Sequence, residues 1–243
     1  MSKKNKQVLI TAGCSFTETR QEKTWPVWLE AHLPLKEAIH TGLGSQGNGM
    51  ISRKVIYAVH EALKNNNSAD LIVGIMWSGT SRHEQYTDEK SKLPTKNIDG
   101  WMDNPTTFVK DDIGGWVIYN AHWRIPQAVN YYKNIYNRTY SQIQTLEHII
   151  RTQNYLKLHN IKYFMGTYMD EVFEYKDNPN LDHLYEQIDF EQFLQTEGMM
   201  EWSRKTGLPP LLYDHHPSQQ MHKLFVDQVI MPFLNRQNEQ PVL

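Results

Sequence analysis

The sequence predicts a doubly wound α/β fold, with helices on both faces of a parallel sheet. Short apolar strands alternate with helical segments along the chain, which is the pattern of such folds. The continuous apolar run Leu71–Met76 is typical of a strand that is covered on both faces. With 243 residues, of which 40% are hydrophobic, we expect one domain over residues 1–243 with a substantial core.

The first strand is predicted at Val8–Thr11, because a β-rich run ends there in glycine and small polar residues. The second, Glu37–Thr41, precedes a glycine-rich turn. Residues 83–123 interrupt the alternation of strands and helices with glycines, prolines and aromatic residues, so we interpret them as an insertion. The other predicted elements are a helix over 49–64, directly after the glycine-rich turn that ends at Asn48, a strand at Leu71–Met76, a helix at Arg138–Asn160, a strand at Lys162–Thr167, a helix at Phe190–Lys205, a short strand at Leu211–Tyr213 and a closing helix at Pro217–Leu234.

Charge and apolar runs exclude several classes of protein. A net charge of −2 provides no global positive field for a phosphate backbone, so nucleic acid is not an expected partner. The run Leu71–Trp77 is far shorter than the roughly 20 residues that span a bilayer. The apolar stretch Val8–Cys14 is too short for a secretion signal, so we expect a cytoplasmic protein. The single cysteine, Cys14, allows no internal disulfide.

A serine follows the first strand, in Gly13-Cys14-Ser15. We expect Ser15 at the N-terminus of a helix, where free N–H groups and the helix dipole favour negative charge. That environment suits a nucleophile whose substrate develops an oxyanion. The alternative is that Ser15 simply caps the helix. Its neighbour Cys14 is expected to point the opposite way, into the core.

A second polar cluster, Asp214-His215-His216, precedes the closing helix. An imidazole there can take the proton of a serine hydroxyl, and a nearby carboxylate can orient it. We therefore pair Asp214 and His216 with Ser15. The alternative is a polar cluster that only caps the last helix.

The segments Gly13-Cys14-Ser15-Phe16-Thr17 and Asp214-His215-His216-Pro217 together resemble the SGNH/GDSL hydrolase family. The resemblance implies a flavodoxin-like three-layer α/β/α sandwich with a parallel sheet of about five strands. It also implies that Ser15 is the nucleophile, His216 the base and Asp214 the partner of that base.

The same resemblance implies an oxyanion hole formed by the N–H of Ser15, the N–H of Gly44 or Gly42, and Asn48. The chain departs from the family pattern in the third block, Met76–Thr80, which has no asparagine. Ser78 or Thr80 is the replacement donor that we consider there. Arg82 follows closely and either faces an anionic substrate or pairs with Glu84.

The predicted activity is hydrolysis of an ester, such as an O-acetyl group on a carbohydrate, through an acyl-serine intermediate. The substrate partner is then a small-molecule or carbohydrate ester, and no cofactor is expected. Residues 83–123 follow the third strand and are expected to cap the site, with Trp101 and Trp116 setting substrate preference. The alternative is a non-catalytic binding or virion-assembly module that keeps the fold and is located in the virion.

Two other constellations are set aside. Gly42-x-Gly44-x-x-Gly47 has dinucleotide-binding spacing, but the acidic residue that should follow, Asp70, precedes its strand and lies at the wrong edge of the sheet. The carboxylate and imidazoles of the 214–216 cluster and His222 lack a second group of ligands at metal-binding spacing. We therefore expect neither a nucleotide nor a metal.

Overall fold

A parallel sheet forms the centre of the protein in the computed structural model, which describes residues 6–20, 22–87, 115–121, 126–173, 178–208 and 216–239. The strands are β1 (Gln7–Ala12), β2 (Leu35–His40), β3 (Leu71–Trp77), β4 (His83–Thr87), β5 (Gly115–Tyr119) and β6 (Lys162–Thr167). The helices are α1 (Trp25–Glu30), α2 (Asn48–Leu63), α3 (Pro126–Asn134), α4 (Arg138–Leu158), α5 (Asp182–Tyr185), α6 (Met199–Lys205), α7 (Gln219–Phe225) and α8 (Met231–Glu239).

The sheet has the strand order β2-β1-β3-β6, and all its pairings are parallel. Side chains of β1 alternate between two separate cores: Val8 and Ile10 pack with α2 and α4, whereas Leu9 packs with α1, α7 and α8. Strand β3 is buried at every position. The predicted three-layer α/β/α arrangement is confirmed, and the carboxyl ends of the four strands meet at one edge.

The predicted helix Phe190–Lys205 is wrong in its first half. The helix α6 begins only at Met199, after a short 3₁₀ turn at Phe190–Gln192. Between them Phe193 bridges to Met165 in parallel, and the Leu194 N–H donates to the Met165 carbonyl at 2.8 Å. Burial of these two side chains against β6 favours an extended backbone over a helix. The predicted short strand Leu211–Tyr213 lies outside the described residues.

The insertion predicted at residues 83–123 contains a separate antiparallel pair, β4 and β5. Residues 88–114 and 122–125 lie outside the described part of the chain, so the cap remains a prediction. The sequence reasoning missed the short helix α1, although Thr24 followed by Pro26 at the first turn is a helix-start signal.

The closing helix runs from Gln219 to Glu239 and contains a π-helical segment at Val226–Ile230. Pro232 follows that segment and has no N–H to donate to the carbonyl four residues back, Gln228. A widened turn accommodates the proline without breaking the helix. The helix therefore stays continuous from Gln219 to Glu239.

Candidate active site

The structure joins Ser15 and His216 by a hydrogen bond. The distance between His216 Nε2 and Ser15 Oγ is 2.8 Å, although the residues are 201 positions apart in sequence. Ser15 follows β1 closely, and His216 precedes Ser218, the N-cap of α7. Pro217 restricts His216 to an extended backbone, which keeps it out of the helix. This contact has the length needed for proton transfer from the hydroxyl to the imidazole.

The expectation that Ser15 begins a helix is wrong. Ser15 lies in a single turn, closed by hydrogen bonds from the Thr17 and Glu18 N–H groups to the Cys14 carbonyl at 2.9 and 3.1 Å. The next helix along the chain begins at Trp25, so Ser15 is not at the N-terminus of a helix. The turn is tight because Gly13 lies against β3: a Cβ there would come within 2.8 Å of the Met76 carbonyl oxygen.

The Ser15 turn is held from two sides. On one side, Thr17 Oγ1 accepts a hydrogen bond from the Trp25 indole at 3.1 Å. On the other, the Gly13 carbonyl accepts one from the amide of Gln46 at 2.7 Å. Both Thr17 and Gln46 are fully buried. The nucleophile candidate is therefore half-buried on a rigid support, with its position set by α1 and the loop after β2.

Next to His216 lies a second imidazole, His222 of α7. The Trp25 N–H donates to His222 Nδ1 at 3.3 Å, which leaves the proton on Nε2. Burial, and then the charge of His216, lowers the pKa of His222 to about 3. His222 is therefore neutral at physiological pH. The ring of Phe16 lies 5.0 Å from that of His216 and 6.5 Å from that of His222.

Asp214 and His215 lie outside the described residues, so the orientation of His216 by Asp214 stays a prediction. Two of the predicted oxyanion donors, Gly44 and Asn48, form hydrogen bonds with other residues of the chain. The Gly44 N–H donates to a carboxylate oxygen of Glu18 at 2.7 Å. The amide of Asn48 donates to the Ser78 carbonyl at 2.9 Å and accepts from the Ser78 N–H at 2.7 Å. Asn48 therefore fastens the start of α2 to the end of β3.

Arg82 does not pair with Glu84, which was one of the two roles considered for it. Its Nη1 donates to Ser78 Oγ at 2.6 Å, and its guanidinium lies 5.1 Å from the centre of the Tyr168 ring. The Glu84 carboxylate instead contacts Arg53, with 3.3 Å between Oε2 and Nη2. Arg82 thus belongs to the loops at the carboxyl ends of the strands.

Two cavities flank these loops. A polar one of about 110 Å³ lies between α2 and α4, and Asn48, Glu84 and His148 contribute to its lining. A larger groove of about 650 Å³ begins at the carboxyl end of β6, and its lining includes four phenylalanines: Phe173, Phe190, Phe193 and Phe225. The sequence reasoning found neither, because each combines residues from elements far apart in the chain.

The fold and the paired side chains define an α/β protein with a serine–histidine pair at the carboxyl ends of its parallel strands. Residues 10–241 match the model of a family described as a family of unknown function, DUF6071, and the chain belongs to that family. No curated protein matches the chain.

Within the described residues, no helix is both long enough and apolar enough to cross a membrane, and no three His, Cys, Asp or Glu side chains form a group suited to a metal ion.

Two solved structures are similar to this chain over nearly its whole length. One is a member of the lipolytic protein G-D-S-L family from Veillonella parvula DSM 2008, with 9% identity, a TM-score of 0.48, and coverage of 91% of this chain and 94% of that chain. The other is a G-D-S-L family protein from Desulfitobacterium hafniense DCB-2, with 12% identity, a TM-score of 0.48, and coverage of 95% and 98%. A likeness at this level assigns no activity to the chain.

Proposed function

We propose that the protein is a serine hydrolase that cleaves an ester through an acyl-enzyme at Ser15. The observation that carries the proposal is the 2.8 Å hydrogen bond between His216 Nε2 and Ser15 Oγ. A serine hydroxyl is a weak nucleophile at its free pKa, and a hydrogen-bonded imidazole is the usual base that activates it. Ser15 is half-buried on a turn fixed by Thr17 and Gln46, so it remains reachable while its position is defined.

The reaction has two steps. In the first, Ser15 Oγ forms a bond to the ester carbonyl carbon while its proton passes to His216 Nε2. The bond between that carbon and the alcohol oxygen then breaks, and His216 returns the proton to the departing alcohol. In the second step His216 takes a proton from water, the resulting hydroxide attacks the acyl carbon, and Ser15 Oγ leaves with the proton. Asp214 orients His216 in this proposal, and the Ser15 N–H faces the oxyanion.

The ester that we propose is an O-acetyl group on a carbohydrate. The polar cavity of about 110 Å³ supports this choice, because Gln144 and His148 in its lining offer donors and acceptors to sugar hydroxyls. The phenylalanine-lined groove of about 650 Å³ favours instead an ester with a large apolar group, since pockets of roughly 300–1,000 Å³ with apolar linings hold most small ligands. Hydrolysis rates for an acetylated sugar and a long-chain ester distinguish these substrates.

The test of the proposed function is labelling with a neutral alkyl fluorophosphonate, followed by mass spectrometry of the adduct. In that reaction Ser15 Oγ bonds to phosphorus, fluoride leaves and His216 takes the proton. We expect one adduct, on Ser15, and hydrolysis of p-nitrophenyl acetate. Ser15→Ala and His216→Ala should each lower hydrolysis by on the order of 10³–10⁶-fold.

The matched control is Ser68→Ala, at the amino end of β3 and so at the opposite edge of the sheet. It should label and hydrolyse like the unaltered protein. Labelling that persists in Ser15→Ala, or a folded protein that neither labels nor hydrolyses, would contradict the proposal.

A second candidate function, a non-catalytic binding or virion-assembly module, is favoured by one observation. The Gly44 N–H and the Asn48 amide, the donors expected for an oxyanion hole, are both engaged within the fold. A folded protein that does not label and hydrolyses neither acetyl nor long-chain esters would support this second function.

A further inference from the structure

A single side chain, Arg82, reaches the loops that follow all four strands of the sheet. Its Nη1 donates to Ser78 Oγ after β3 at 2.6 Å and to the Gln46 carbonyl after β2 at 3.4 Å. Its guanidinium lies over the Tyr168 ring after β6, at 5.1 Å from the ring centre. It also interacts with the side chain of Cys14 after β1. Arg82 thus lies beside the residue that precedes Ser15.

The charge of Arg82 has no ion-pair partner among the described residues. The Glu84 carboxylate pairs with Arg53, and both Glu84 and Glu171 act on Arg82 through their charges without forming a direct ion pair with it. Burial lowers the pKa of Arg82, but Cys14, Tyr168 and Glu171 outweigh that effect and raise it above its usual value. The guanidinium is therefore a cation at every working pH. A partly buried cation that forms no direct carboxylate ion pair among the described residues attracts any negative charge that forms close to it.

Attack by Ser15 on an ester would create such a negative charge. The Gly44 N–H and the Asn48 amide are occupied by Glu18 and Ser78, so they do not offset it in this arrangement. Fixed charges in a partly dry site stabilise a developing oxyanion without any rearrangement at the moment of reaction. Arg82 is held by hydrogen bonds to neutral oxygens and by Tyr168, which makes its charge a fixed one.

We propose that Arg82 is a positioning residue of the serine site, which places a buried positive charge beside the Ser15 turn to offset the oxyanion. This inference rests on the proposed function. Arg82 acts through the electrostatic field and does not touch the substrate. Its hydrogen bonds to Ser78 and Gln46 come from a single nitrogen, Nη1, and a further one joins it to the Cys14 side chain; the proposed effect depends on the charge and not on these bonds. A lysine that keeps the charge should therefore keep most of the effect.

The experiment compares Arg82→Gln, which removes the charge, with Arg82→Lys, which keeps it. The fluorophosphonate labelling rate, kcat and KM for p-nitrophenyl acetate, and the melting temperature are measured for each. We expect Arg82→Gln to lower the labelling rate and kcat by on the order of 10- to 100-fold, with KM nearly unchanged. Arg82→Lys should stay within about threefold of the unaltered protein on the same scale.

The matched control is Arg151→Gln. Arg151 also binds a serine hydroxyl, with Nη2 at 2.8 Å from Ser52 Oγ, but it lies on α4 away from the turn. We expect this variant to lose stability without losing reactivity at Ser15. If Arg82→Gln does not fold, Arg82→Met takes its place, because methionine keeps an apolar stem against Tyr168.

Four results would overturn the inference. Equal losses in Arg82→Lys and Arg82→Gln, with both proteins folded, would show that the charge is not the cause. A loss confined to KM for anionic esters would make Arg82 a substrate-binding residue instead. Unchanged kinetics in Arg82→Gln, with Ser15 still labelled, would refute this inference and leave the proposed function intact. An unaltered protein that does not label would refute both.

Discussion

Replacing Asn48 with alanine tests whether this residue serves the fold or the reaction. Its side chain is 3% exposed and forms hydrogen bonds to the Ser78 carbonyl, the Ser78 N–H and Thr145 Oγ1 at 2.9, 2.7 and 3.1 Å. Asn48→Ala leaves two buried backbone groups of Ser78 without partners, and each unsatisfied group costs about 1–3 kcal/mol. We therefore expect a loss of roughly 2–6 kcal/mol in the free energy of unfolding.

Urea unfolding measures that loss directly. A chain of this size loses roughly 2–4 °C in Tm per kcal/mol, so the melting temperature should fall by about 4–24 °C. The control is Asn65→Ala, at an exposed position after α2, which should change stability by no more than about 0.5 kcal/mol. An Asn48→Ala protein that melts normally but no longer labels at Ser15 would refute the reasoning, because the amide would then act on the reaction.

Two further variants test the packing around the serine and the histidine. The pKa of His222 is about 3 in the folded protein, below its unfolded value of about 6.5, so stability is complete above pH ~6.5 and falls as pH drops toward 3. His222→Gln keeps an acceptor for the Trp25 N–H and should reduce that loss by up to about 1.4 kcal/mol per pH unit. Urea unfolding at pH 7 and pH 4 measures the loss, and a variant that loses as much unfolding free energy between these two pH values as the unaltered protein would contradict the prediction. Gly13→Ala places a Cβ against Thr17 and within 2.8 Å of the Met76 carbonyl oxygen, so it should cost about 1–3 kcal/mol and slow labelling of Ser15. A variant that labels and melts normally would show that the turn has room to move.

The main sheet was predictable because its signals are local. The strand β6 begins and ends at the predicted residues, Lys162 and Thr167, and β3 extends one residue beyond its prediction to Trp77. Continuous apolar runs bounded by polar or glycine residues determine such strands without reference to distant contacts. The same reasoning fails at Phe193, where a helical pattern of side chains is overridden by burial against β6.

The candidate site was predictable only in part, and for a physical reason. Parallel strands end at one edge, so residues that follow strands are expected to meet, and the structure places Ser15 and His216 together. Which N–H groups remain free to bind an oxyanion there depends on side chains that belong to no recognisable sequence motif. Glu18 takes the Gly44 N–H, an interaction between residues 26 apart that no spacing rule indicates.

The two halves of the serine–histidine pair depend on different parts of the fold. The Ser15 turn is fixed by contacts to the sheet loops, through Gly13 and Gln46. The position of His216 depends on how α7 packs, and the Trp25 N–H bond to His222 ties that helix to α1. The buried side chains of the closing helix include Phe225 and Val226, which belong to the same core as Leu9 of β1. Reactivity at Ser15 should therefore depend on the packing of α7 against this core as well as on the Ser15 turn.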